Sequence, residues 1–220
     1  LRKEDTMAAR LQLALDDIEY REALDLIERV QAHIDIVEVG TPLLMRYGMP
    51  IVCDVKRLFP QVQLLCDAKI MDGAKLEAQL AFDAGADFVT ILAVTDDSSI
   101  RDCIETAQEW DRRVMVDMMC VSDLGSRVRQ LEDIGVELVA VHTGVDQQAR
   151  GRTPLEDLRT LSEAVTHAQI AVAGGISLDT APQYIALEPD ILIVGTGIVA
   201  ADDPLRESRK MHQLIQEAAG

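Results

Sequence analysis

Short, nearly continuous apolar runs alternate along this chain with longer amphipathic stretches. The runs are Leu11–Asp16 (LQLALD), Ile34–Gly40 (IDIVEVG), Val62–Lys69 (VQLLCDAK), Asp87–Val94 (DFVTILAV), Arg113–Met119 (RVMVDMM), Glu137–Gly144 (ELVAVHTG), Gln169–Gly175 (QIAVAGG) and Asp190–Gly197 (DILIVGTG). They recur about every 25 residues, the length of one strand-helix unit. Their Val and Ile content, with little alternation, predicts strands covered on both faces, as in a parallel sheet. Between them the spacing predicts helices. Ala23, Leu24, Ile27 and Val30 share a face, as do Leu76, Leu80 and Ala84, and Leu124, Val128, Leu131 and Ile134. Gly85 and Gly135 fall just past two such helices, where a C-terminal cap is favoured. Eight strand-helix units in 220 residues predict a single-domain α/β protein, a (β/α)8 TIM barrel over residues 10–220. Residues 1–9 read as a short polar leader. An open doubly wound sheet is the competing arrangement, but no glycine-rich dinucleotide loop follows the first run.

Composition narrows the partners. With Lys+Arg 21 against Asp+Glu 38, the net charge is −17. Such a surface repels phosphate backbones, so no nucleic acid is expected, and an anionic substrate needs a local site of opposite polarity. Aromatic residues make up only 3%, so the core must be built from Val, Ile, Leu, Ala and Met. Cys53, Cys66, Cys103 and Cys120 form no C-x-x-C pair and read as small core residues or free thiols, which suits a reducing, cytoplasmic setting. The start, LRKEDTMAAR, has no apolar signal region, and Met7 is a candidate natural start. No run approaches the roughly 20 apolar residues of a membrane span, so no membrane partner is expected.

Only five lysines are present, which draws attention to Lys69 inside an apolar run. In a barrel, chemistry sits at the C-terminal ends of the strands. Asp16 ends the first run, Glu38 lies near the end of the second, and Asp67 and Lys69 end the third with Asp72 just beyond. Asp117 and His142 occupy the fifth and sixth. Asp67 and Lys69 are two apart and project to the same side of a strand. A lysine between carboxylates keeps its charge in a partly dry site and can stabilise an oxyanion. Glu38 and Asp67, on neighbouring strands, suit a hard divalent cation such as Mg²⁺. Each residue alone also has a structural reading. The third-run charges fit an ion-pair network, Asp16 a helix N-cap, Glu38 an arginine partner, Asp117 a loop-facing pair, and His142 a backbone-bonded core histidine. The seventh and eighth runs end in glycine loops, Ala171–Ser177 (AVAGGIS) and Ile193–Val199 (IVGTGIV). Gly174, Gly175, Gly195 and Thr196 there match the place where barrels hold phosphate, with tight strand-helix turns as the other reading.

The stretch Asp67–Asp72 (DAKIMD) is similar to the D-x-K-x-x-D motif of the orotidine-monophosphate decarboxylase suprafamily of phosphate-binding barrels. LALD, IVEVGTP, ADFVTILAV, VMVDMM, VHTGVDQQA, AVAGGI and PDILIVG resemble successive strand ends of its 3-hexulose-6-phosphate synthase branch, from about Leu11 to the C-terminus. The sibling branch, 3-keto-L-gulonate-6-phosphate decarboxylase, typically runs His-Arg-Ser-Arg-Asp on the sixth strand. Here His142-Thr143-Gly144-Val145-Asp146 replaces its second arginine with Val145, which favours the synthase branch. Two departures stand out: Gly73-Ala74 for Ala-Gly, and Thr196-Gly197 for Gly-Ala, the latter in the phosphate loop.

The resemblance implies a Mg²⁺-dependent lyase. It condenses formaldehyde with D-ribulose 5-phosphate, reversibly, to D-arabino-hex-3-ulose 6-phosphate through an enediolate, the formaldehyde-fixing step of the ribulose monophosphate pathway. It places Mg²⁺ on Glu38 and Asp67, makes His142 the C1 base, and sets Lys69 at the enediolate oxygen. Asp16 and Asp72 then position Lys69 and substrate hydroxyls, Asp117 joins the catalytic group, and backbone amides near Gly174, Gly175, Gly195 and Thr196 hold the phosphate. Asp72 is expected to reach into a partner's site, which implies a homodimer with shared active sites. The alternatives are the sibling decarboxylase and a non-catalytic sugar-phosphate-binding barrel; the joint presence of Asp16, Glu38, Asp67, Lys69, Asp72 and His142 weighs against the second.

Overall fold

The protein is described by a computed structural model covering residues 8–151 and 153–219. The leader expected over residues 1–9 therefore lies, up to residue 7, outside the described residues. Each apolar run overlaps one strand, with β1 starting one residue before its run and β3 ending one residue after: β1 (Arg10–Leu15), β2 (Ile36–Val39), β3 (Gln63–Ile70), β4 (Phe88–Leu92), β5 (Arg113–Asp117), β6 (Leu138–His142), β7 (Gln169–Ala173) and β8 (Ile191–Val194). All pair in parallel with their sequence neighbours, and β1 also pairs with β8, with Arg10 opposite Ile191 and Leu13 opposite Val194. That pairing closes the barrel and excludes the open sheet. The helices are α1 (Tyr20–Val30), α2 (Thr41–Tyr47), α3 (Met49–Leu58), α4 (Ala74–Asp83), α5 (Asp97–Glu109), α6 (Leu124–Asp133), α7 (Val145–Gln148), α8 (Leu155–Ala164), α9 (Ala181–Ile185), α10 (Thr196–Val199) and α11 (Pro204–Ala219). None among the described residues is long and apolar enough to cross a membrane.

The lack of alternation in the runs has a direct cause. Inward side chains such as Ile36, Leu65, Phe88, Met115, Leu138 and Ile191 fill the barrel interior. Their outward neighbours, among them Leu13, Val37, Leu64, Cys66, Val89 and Val139, pack beneath the helices. Both sets are almost wholly removed from water, and each large aliphatic side chain so buried contributes about 1.5–3 kcal/mol. Acids preceding three even-numbered strands pin the odd-numbered strand before them. Asp35 accepts from the Leu11 amide (2.8 Å), Asp87 from Leu64 (2.9 Å) and Asp190 from Ile170 (2.8 Å). At the base of the interior, Arg10 donates to Gln63 (3.0 Å) and Arg113 to Gln169 (2.8 Å). Above this polar base the inward layers are apolar, and they become charged again at the C-terminal mouth, where the functional groups gather.

The helices follow the expected faces with one exception. Ala23, Ile27 and Val30 of α1, and Val128 and Leu131 of α6, are buried. In α4 the inner face is Ala74, Ala78, Ala81 and Phe82; of the expected set, Ala84 at the C-terminal cap is buried, whereas Leu76 and Leu80 are 63% and 48% exposed. The small residues let α4 lie close to the sheet and leave an apolar strip outside. Gly85 (φ 99°) and Gly135 (φ 94°) end α4 and α6 as expected. The next residues, Ala86 and Val136, donate back to Ala81 (3.1 Å) and Leu131 (3.0 Å), the bond pattern of a left-handed helix cap. Cys66 and Cys103 are core residues, and burial pushes both thiols up to about 12. Cys53 and Cys120 are exposed free thiols, so the four cysteines divide between the two readings, core residue and free thiol.

Candidate active site

A cavity of about 950 Å³ opens at the C-terminal mouth. Asp16, Glu38, Asp67, Lys69, Asp117, His142, Gly174, Gly175, Gly195 and Thr196 all line it. Asp72 does not. It lies on the exposed loop after β3, where its carboxylate accepts the Gly73 amide at 2.8 Å.

The centre of the mouth is a β3 irregularity. Pairing with β4 shifts register between Cys66 and Ile70, and Lys69 adopts φ 47°, a left-handed conformation unusual for a side chain of this size. Its ammonium bonds both Asp67 oxygens (2.7 and 3.0 Å) and Asp117 Oδ2 (3.3 Å). Burial opposes the charge, but the two carboxylates outweigh it and raise the Lys69 pKa above its ordinary value. Asp67 is 4% exposed and also accepts Thr41 Oγ1 (2.7 Å) and Thr90 Oγ1 (2.8 Å). Lys69 is thus held by Asp67 and Asp117. Among the described residues no ion pair joins it to Asp16 or Asp72, the partners expected for that task.

Glu38 sits one strand over, with Oε2 accepting from Gln12 Nε2 at 2.6 Å. Its partner is therefore Gln12, not an arginine. Burial, then the charges of Asp67 and Asp16, push its pKa up to about 8. Asp16 is raised in the same way, by loss of surrounding water and by Asp67, although it stays accessible from the mouth. It is not the helix cap, because α1 starts four residues later behind Glu19. Gly40 makes this convergence possible: a Cβ there would run into the Asp16 carboxyl and the Leu15 carbonyl.

Four carboxyl groups, Asp16, Glu38, Asp67 and Asp117, crowd one ammonium, an acidic excess that a cation would relieve, and the donors are the hard oxygens Mg²⁺ takes. The Oε1 of Gln12, buried and without a partner, lies on the side chain that holds Glu38. Among the described residues no group of three or more His, Cys, Asp or Glu is arranged to hold a metal. The fit is to two protein carboxylates completed by water or substrate oxygens.

Asp117, also buried, shares Oδ2 with His142 Nδ1 (2.9 Å), and its Oδ1 accepts the Met119 amide (2.9 Å). The bonds from His142 and the Lys69 charge depress its pKa despite its burial. With Nδ1 tied to a carboxylate, Nε2 is the nitrogen left for chemistry, and the ring is not a backbone-bonded core histidine. On the far wall, Gly174 (φ 125°) and Gly175 (φ 66°) turn the chain out of β7. A Cβ on Gly174 would meet the Thr143 carbonyl at 2.8 Å, and one on Gly197 would strike the Ile176 carbonyl. Gln148 Nε2 donates to Thr143 O (2.7 Å) and braces the loop after β6 where it lies beside this glycine pair.

Gln12, Thr41, Thr90 and Gln148 were not picked out by the sequence reading. Gln12 and Thr90 carried a signal, as polar residues at inward positions within apolar runs. Thr41 and Gln148 carried none, because their role depends on which loops meet.

Residues 9–211 match the Orotidine 5'-phosphate decarboxylase / HUMPS family, and the chain belongs to it. A 3-hexulose-6-phosphate synthase of Bacillus subtilis is 43% identical over 205 residues, 93% of this chain and 98% of that protein. One of Staphylococcus haemolyticus is 42% identical, covering 94% and 98%. Among solved structures, 3-hexulose-6-phosphate synthase from Salmonella typhimurium superposes with a TM-score of 0.94 at 49% identity, over 95% of this chain and 99% of the other. KGPDC from Streptococcus mutans has a TM-score of 0.89 at 23% identity over 96% and 99%, and so shares the fold.

Proposed function

We propose that the chain is an aldehyde-lyase that condenses formaldehyde with D-ribulose 5-phosphate, reversibly, to D-arabino-hex-3-ulose 6-phosphate. The observation that carries this reading is the Asp67–Lys69–Asp117–His142 network at the mouth, in a chain whose full-length relatives are named 3-hexulose-6-phosphate synthase. The backbone around Gly174, Gly175, Gly195 and Thr196 holds the phosphate, where glycine permits close approach. His142 Nε2 removes the C1 proton, and Asp117 stabilises the resulting imidazolium through Nδ1. The Lys69 ammonium lies where the enediolate oxygen develops charge. C1 then adds to the carbonyl carbon of formaldehyde, whose oxygen takes up a proton. Glu38 and Asp67 would hold Mg²⁺, which supplies Lewis-acid polarisation of substrate oxygens when bound. Asp16 contacts hydroxyls from the open side of the mouth.

The active unit on this reading is a homodimer. Asp72 projects outside its own cavity, beside exposed Met71 (51%), Leu76 and Leu80, a strip suited to burial against a second copy that Asp72 then serves. The test is an assay with purified protein for ribulose 5-phosphate consumption that requires both formaldehyde and Mg²⁺. Carbon dioxide release from 3-keto-L-gulonate 6-phosphate instead would assign the sibling reaction. Neither activity would leave a binding barrel.

A further inference from the structure

We propose that Thr90 is a positioning residue for the Asp67–Lys69 pair, linking the left-handed turn of β3 to the orientation of its carboxylate through one hydroxyl. Thr90 is 4% exposed and sits on β4, opposite the place where β3 loses register. Its Oγ1 accepts the Lys69 backbone N–H at 2.9 Å and donates its proton to Asp67 Oδ1 at 2.8 Å. A hydroxyl has one proton and two lone pairs, so it can do both at once.

Each bond answers a specific need. At φ 47° Lys69 leaves the regular ladder, and its amide would otherwise face the interior without an acceptor. Buried unpaired amides are costly, so this conformation requires a side-chain acceptor from the neighbouring strand. Asp67 in turn must hold its carboxylate toward both the Lys69 ammonium and the cavity. Thr90 fixes Oδ1 and Thr41 fixes Oδ2, which removes the rotation about the carboxylate axis. Orientation of charged groups by such outer contacts typically carries a 10–100-fold effect in metal sites. The left-handed turn, the lysine amide and the carboxylate therefore depend on one another through a hydroxyl on the cavity wall whose proton goes to Asp67 and which accepts the Lys69 amide.

The test compares Thr90→Val, which keeps shape and removes the hydroxyl, with Thr90→Ser, which restores it. Amide exchange at Lys69, followed by NMR, is independent of the reaction. It is expected to accelerate at least tenfold in Thr90→Val and to return towards wild type in Thr90→Ser, with amides of β1 and β7 unchanged in both. The kinetic arm rests on the aldolase reading: kcat should fall roughly 10–100-fold in Thr90→Val with the sugar-phosphate KM within about threefold, and recover in Thr90→Ser. An inactive wild type defeats the aldolase reading and leaves the exchange arm to decide this one. Unchanged Lys69 exchange in Thr90→Val, or equal losses in both variants, overturns the proposal.

Discussion

Ionisation of Glu38 opposes the fold. In the unfolded chain it ionises near 4.5, whereas in the barrel, without a cation, it keeps its proton to about pH 8. Between those values the unfolded state holds fewer protons, so this group makes stability fall as pH rises from about 4.5 to 8, and the loss is complete above that window. Glu38→Gln should remove the decline. In EDTA, urea unfolding at pH 5 and pH 8 is expected to show the variant gaining on wild type by a few kcal/mol across the interval. Parallel curves would mean that Glu38 is ionised throughout. The same proton offers a test of cation binding: at pH 7, Mg²⁺ should displace up to one proton, measured by calorimetry in two buffers of different ionisation enthalpy. His142 makes a separate prediction. In His142→Asn, exchange of the C1 proton of ribulose 5-phosphate into heavy water should drop at least a hundredfold while sugar-phosphate binding persists, since imidazole is the group placed to move that proton. Undiminished exchange would pass the role to another base.

At the scale of elements, the loops after β7 and β8 approach so closely that side chains are excluded. In Gly197→Ala the new methyl meets the Ile176 carbonyl, so the loops must part; the expected cost is about 1–3 kcal/mol, with a raised KM for the sugar phosphate. Gly125, within α6, has only ordinary contacts around a built Cβ, the nearest being Ala164 Cβ at 3.7 Å. Gly125→Ala should stabilise by about 0.5–1 kcal/mol without changing KM. Thermal unfolding and steady-state kinetics on both variants separate the strained glycine from the unstrained one. The α4 helix shows why spacing alone misassigned a face: Leu76, Leu80 and Ala84 and the set Ala74, Ala78 and Ala81 are both periodic. Nothing local says which set meets the sheet, because alanine gains as much as leucine from a helix and only close packing prefers the smaller residue.

For the whole molecule, the strip of Met71, Leu76 and Leu80 is expected to join two copies. Leu76→Arg should give a monomer by sedimentation velocity, and activity should fall with the dimer if Asp72 serves the partner's cavity. A fully active monomer would confine catalysis to one chain. Mixing inactive Lys69→Ala with inactive Asp72→Asn chains should restore about a quarter of the activity per site on statistical pairing, because one of the two mixed sites is then intact.

Much of this architecture was legible along the chain. All eight strands, the closed barrel and the gathering of Asp16, Glu38, Asp67, Lys69, Asp117 and His142 at one mouth follow from periodicity, which local sterics and burial impose residue by residue. Which partner each group takes does not. That Lys69 adds Asp117 to its neighbour Asp67, that Glu38 leans on Gln12, that Asp72 faces away and that Thr90 spans a broken ladder were decided only when the strands closed into a ring. The bonds across strands join residues from 21 to 48 positions apart in the chain, and their strength depends on distance and on excluded water, which no local pattern carries.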